Sequence, residues 1–97
     1  MSKSIHDEIA ERLARKMGTE YKSTKGIDIV TRNKVIEVET KKDSLPQGIR
    51  QVEHSQKARY LAVNKQNLKN ALEATKDTGI GVLGPTGIIH KQASRKG

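Results

Sequence analysis

The chain has 97 residues, 19 Lys+Arg against 11 Asp+Glu and a formal charge of +8. It contains no Cys, Phe or Trp, which excludes a disulfide scaffold and a cysteine-ligated zinc site. No stretch approaches the ~20 apolar residues of a membrane span, and no apolar leader follows the first charges, so a cytoplasmic protein without membrane partners is expected.

Residues 4–17 read as an amphipathic helix. Ile5, Ile9, Leu13 and Met17 recur every four residues, Ser4 suits the N-cap, and Gly18 ends the pattern. A short strand is expected from Tyr21 to Ser23 and a turn at Lys25-Gly26. Ile27–Thr31 and Lys34–Thr40 read as two strands joined by a tight turn at Arg32-Asn33. Lys41–Asp43 is a loop. Ser44 and Pro46 open a second helix over about 45–57. Tyr60–Val63 is a nearly all-apolar strand of the kind covered on both faces. A third helix follows over about 67–77, then a strand at 80–83, a turn at Gly84–Gly87 and a last strand at 88–90. Residues 1–91 are expected to form one domain and 92–97 a disordered basic tail. The fold class expected is α/β, a mixed sheet flanked by helices.

A chain this short, with two tyrosines as its only aromatics, has a modest core. Burial in a homodimer interface is one remedy. The charge is uneven: residues 1–43 carry a net +2 and residues 44–97 a net +6. The excess of positive charge points to a polyanion, most simply DNA.

The acids matter more than the bases. With a two-residue turn at Arg32-Asn33, Ile29 pairs with Ile36 and Asp28 with Glu37, whose Cβ atoms would stand roughly 4.5–5.5 Å apart. Glu39 and Lys41 follow on the same face. Like charges directly opposed destabilise a sheet, and a divalent cation removes the repulsion. Hard carboxylate oxygens suit Mg²⁺ or Mn²⁺, and such an ion in a basic protein points to phosphodiester chemistry. Two plain alternatives remain open here. A hairpin with one wet face carries Glu by default, and a one-residue slip would separate Asp28 from Glu37.

The run Gly26-Ile27-Asp28, a turn, then Val35-Ile36-Glu37-Val38-Glu39 resembles the catalytic hairpin of the PD-(D/E)xK nuclease superfamily. The resemblance covers about residues 4–83 and is closest to small Holliday-junction-resolvase-type and restriction-type members. It implies a restriction-endonuclease-like fold in the order α-β-β-β-α-β-α-β-β. It also implies metal-dependent hydrolysis of duplex or branched DNA. Asp28 and Glu37 would be metal ligands. Glu39 stands where the family usually has Lys, and Lys41 is a candidate to replace it. Many members place a Glu on the first helix facing the metal. With Ile9 taken as the centre of the apolar stripe, Glu8 lies about 100° to one side, while Asp7 and Glu11 lie about 160° away. Glu8 is therefore expected as the third ligand. A polar residue of the second helix, here Gln51, commonly faces the scissile phosphate. Arg12, Lys25, Lys42 and Arg50 would ring the site and hold DNA phosphates. A member that binds nucleic acid without cutting it, alone or as a subunit of a larger complex, is the alternative.

The three histidines show no metal-ligand spacing and read as surface residues. No Gly-rich phosphate loop or nucleophile elbow is present.

Overall fold

The computed structural model describes residues 4–21 and 26–94. The described residues form three α-helices and five strands: α1 (Ile5–Lys16), β1 (Ile29–Val30), β2 (Lys34–Glu39), α2 (Leu45–Val52), β3 (Ala58–Val63), α3 (Leu68–Ala74), β4 (Gly81–Leu83) and β5 (Ile89–Lys91). Single 3-10 turns precede α2 and α3. Among the described residues no helix is long and apolar enough to cross a membrane.

The strands lie in the order β1-β2-β3-β4-β5. The outer pairs β1·β2 and β4·β5 are antiparallel, while β2·β3 and β3·β4 are parallel. The sheet is therefore mixed, and the fold is α/β. α2 and α3 form the crossovers between the parallel strands. They cover one face through Leu45, Val52 and Ala71, packed on Val35, Leu61, Val63, Ile80 and Val82. α1 covers the other through Ile9, Ala10, Leu13 and Ala14, packed on Ile29, Ile36, Val38, Tyr60 and Ala62. With both faces covered, β2 and β3 bury most of their side chains, Glu37 and Glu39 included.

The helix ends follow their sequence signals. Ser4 Oγ accepts the Asp7 N–H at 3.1 Å, and Arg15 and Lys16 complement the dipole in the last turn. Gly18 adopts φ +72°, and Thr19 and Gly18 donate to the Ala14 and Arg15 carbonyls, a Schellman ending. The hairpin has the expected register, Ile29 opposite Ile36 and Val30 opposite Val35. It is closed by the Thr31 N–H on the Lys34 carbonyl and by the Lys34 N–H on Thr31 Oγ1.

Several boundaries differ from expectation. β1 holds only two residues. α2 stops at Val52, five residues early, and the Arg59 guanidinium donates to the Glu53 carbonyl just beyond it. Ser44 precedes α2 but gives its hydroxyl to the Lys41 carbonyl instead of capping the helix. Tyr21 is not in a strand, and the rest of the segment read as one there lies outside the described residues. Residues 92–94 are not a free tail. Ser94 bonds the Gly79 carbonyl and the Arg59 side chain, Tyr60 donates to Gln92, and Ala93 packs on the core.

Candidate metal and nucleic-acid site

Glu37 and Glu39 project from β2 on the face covered by α2. Glu39 is the last residue of its strand, at the carboxyl ends of the parallel pair, where ligands of open α/β sheets gather. Asp28 stands just before β1, one step beyond the paired residues. Its N–H donates to Glu37 Oε1 at 3.1 Å, and its Oδ2 accepts the Val38 N–H at 2.9 Å. The two side chains are thus each pinned to the other strand's backbone. All three acids are buried, with 7%, 8% and 9% of Asp28, Glu37 and Glu39 exposed.

In a protein with eight excess positive charges, no described Lys or Arg is paired with these acids. Among the described residues none forms an ion pair with them, and Asp28 meets only an imidazole, His6 Nε2, at 3.2 Å from Oδ2. Desolvation and mutual repulsion then dictate their protonation. Burial first, and the Asp28 and Glu39 charges after it, push Glu37 up to about 8. Burial raises Asp28 against the opposing pull of the Val38 N–H and His6. Burial likewise raises Glu39, with Asp28 adding to it. Burial thus raises the proton affinity of all three acids.

α1 reaches this cluster with a different side chain from the one expected. Glu8 is exposed and touches none of the three acids. The buried α1 residues are Ile9, Ala10, Leu13 and Ala14, so the stripe centres about 70° round from Ile9, where His6 also lies. Glu8 sits about 170° from that centre, facing solvent. His6 is half-buried, not a free surface residue as its isolation in the sequence suggests. Behind it, Asp7 Oδ1 lies 3.3 Å from His6 Nδ1 and accepts the Tyr21 hydroxyl at 2.9 Å. That hydroxyl holds Asp7 below the ordinary carboxylate range, and burial with the bond to Asp7 pushes the phenol far up. The signal for His6 was present in the sequence: it stands four residues before Ala10 and three before Ile9, on the stripe itself.

The other expected residues scatter. Lys41 and Lys42 are exposed beyond β2, with no contact to the acids. Arg50 and Gln51 are exposed on α2. Arg12 is turned away, its guanidinium on the Pro85 carbonyl at 3.4 Å. Lys25 lies outside the described residues.

No protein-family model matches the chain, and no curated protein or solved structure matches it either.

The donor set is one a hard divalent cation accepts: buried carboxylates, unpaired by base, beside a nitrogen donor. Among the described residues no three His, Asp or Glu side chains already converge as a cage. A Mg²⁺-type ion does not require one, since it binds through one or two carboxylates and keeps its waters.

Proposed function

We propose that the protein is a metal-dependent endonuclease that hydrolyses DNA phosphodiester bonds on a PD-(D/E)xK-like scaffold, acting on duplex or branched DNA. The observation that carries the reading is the burial of Asp28, Glu37 and Glu39 side by side in a +8 protein, with no Lys or Arg of the described residues paired to them. A purely structural site has no use for three uncompensated buried acids, each of which costs stability.

Asp28 and Glu37 would hold Mg²⁺ or Mn²⁺. The ion would supply a lowered water pKa and charge stabilisation at the phosphate. Glu39, where the superfamily usually carries Lys, would orient the attacking water and take its proton; burial raises its proton affinity above the ordinary carboxylate value, the direction a general base needs. The exposed Lys41, Lys42 and Arg50 would hold the DNA backbone without reading sequence. Two copies, one per strand, would make a double cut, so a cytoplasmic homodimer belongs to the reading.

The test is cleavage of supercoiled and four-way-junction DNA with Mg²⁺ or Mn²⁺. The wild type should cut and Asp28→Ala should not. Absence of metal-dependent cleavage on every DNA form would overturn the proposal.

A second reading, a nucleic-acid-binding module without catalysis, is favoured by one observation: among the described residues no lysine is paired with the acids, and Lys41 is exposed. Metal titration separates the two, because only the nuclease needs a cation on Asp28 and Glu37.

A further inference from the structure

Tyr21, Asp7, His6 and Asp28 form one line of contacts. The Tyr21 hydroxyl donates to Asp7 Oδ1 at 2.9 Å, Asp7 Oδ1 faces His6 Nδ1 at 3.3 Å, and His6 Nε2 faces Asp28 Oδ2 at 3.2 Å. The Tyr21 ring lies against the imidazole, with centroids 5.9 Å apart and planes tilted by 56°. The imidazole is therefore fixed at both ends and along one side.

A neutral imidazole has one N–H. With the Asp7 carboxylate at Nδ1, that proton belongs on Nδ1. The Nε2 lone pair then faces Asp28 Oδ2, and a cation shared between the two satisfies both, as a shared proton would. A metal ligand histidine has this form: one nitrogen donates to a carboxylate, and the other is aimed by that bond. The separation fits too. Two neighbouring ligands of an octahedral ion, each with a bond of about 2.1 Å, stand about 3 Å apart.

We propose that His6 is a nitrogen ligand to the cation held by Asp28, aimed by Asp7 and Tyr21, and that the site consequently selects a first-row transition ion such as Mn²⁺ or Co²⁺ over Mg²⁺. The inference rests on the metal reading above and sharpens it. Mg²⁺ binds oxygen donors and dehydrates reluctantly, whereas imidazole favours the transition ions. Asp7 and Tyr21 act as positioning residues, because each acts through the ring of His6.

The experiment is direct metal binding to the full-length chain, with free Mn²⁺ read by electron paramagnetic resonance and Mg²⁺ by competition. Folding of each variant is verified by circular dichroism. The wild type should bind Mn²⁺ on the order of tenfold more tightly than Mg²⁺. His6→Gln should weaken Mn²⁺ about 10–100-fold and change Mg²⁺ less than about threefold. Asp7→Asn should weaken Mn²⁺ by about tenfold, and Glu8→Gln, on the far side of the helix, should change nothing. Co²⁺ gives a readout that needs no variant: one hyperfine-shifted imidazole N–H from His6, with His54 and His90 unshifted. If Asp28→Asn abolishes binding while His6→Gln leaves it unchanged and no shifted imidazole appears, the inference is overturned and the metal reading stands. If Asp28→Asn also leaves binding unchanged, both are overturned.

Discussion

Gly48 of α2 lies directly on the Glu39 side chain: a Cβ at that position would stand 2.7 Å from Glu39 Cγ and 3.0 Å from Leu61 Cδ2. The glycine is what lets α2 close over a buried carboxylate. Gly48→Ala should force Glu39 or the helix to shift, at a cost of about 1–3 kcal/mol in urea unfolding. It should also reduce cleavage more than it reduces DNA binding, since the displaced group belongs to the acids and not to the exposed bases. An alanine variant of wild-type stability would show that the helix floats freely over the site.

The raised proton affinity of Glu37 gives the metal-free protein a defined pH dependence. The group titrates near 8 when folded and near its ordinary 4.5 when unfolded. Between these values the folded state holds a proton that the unfolded state has lost, so stability falls as pH rises through this window. Thermal unfolding in chelator should show Tm decreasing from about pH 5 to pH 8 and levelling above it. Glu37→Gln keeps an acceptor for the Asp28 N–H and removes the charge. It should flatten this slope, gain on the order of 1 kcal/mol at alkaline pH and abolish cleavage.

Lys91 on β5 places its ammonium among three carbonyls at the end of α3 and beyond it, those of Thr75, Thr78 (3.1 Å) and Ile80 (2.8 Å). It is a cap supplied from the far edge of the sheet. Lys91→Met keeps the stem and leaves those carbonyls short of a donor, so a loss of about 1–3 kcal/mol is expected by chemical denaturation. Mn²⁺ affinity should be unchanged, because the residue lies away from the acids.

The basic residues should divide by where their side chains are engaged. Arg12 is held on the Pro85 carbonyl, and Arg12→Ala should leave DNA affinity within about twofold. Arg50 is exposed on α2. Arg50→Ala should weaken binding and lower the slope of log K against log salt by about 1, read by fluorescence anisotropy over a salt series.

The pairing of Asp28 with Glu37 was legible because two local rules agreed: the period of two along each strand and the two-residue turn at Arg32-Asn33. The helix face was not, for a tertiary reason. Ile5, Ile9, Leu13 and Met17 draw an apolar line, but the sheet buries Ala10 and Ala14 and leaves Ile5 56% exposed. Alanine carries little apolar signal in a sequence, so the buried stripe is displaced from the apolar line, and it carries His6 while Glu8 faces solvent. The early end of α2 was likewise hidden, because Arg59, which donates to the carbonyl after the helix, comes from the next strand. Asp7 and Tyr21 are fourteen residues apart and meet only once α1 has packed.

The last turn of the sheet is fastened to the first helix. Arg12 and Lys16 find their carbonyl partners at Pro85 and Thr86, 73 and 70 residues further along the chain. A ribosome adding about 5–20 residues per second needs several seconds to make that stretch. Over that interval α1 lacks these two anchors. The first helix is thus fully fastened only after the segment carrying Pro85 and Thr86 has been made, so its docking is completed late in the order of synthesis.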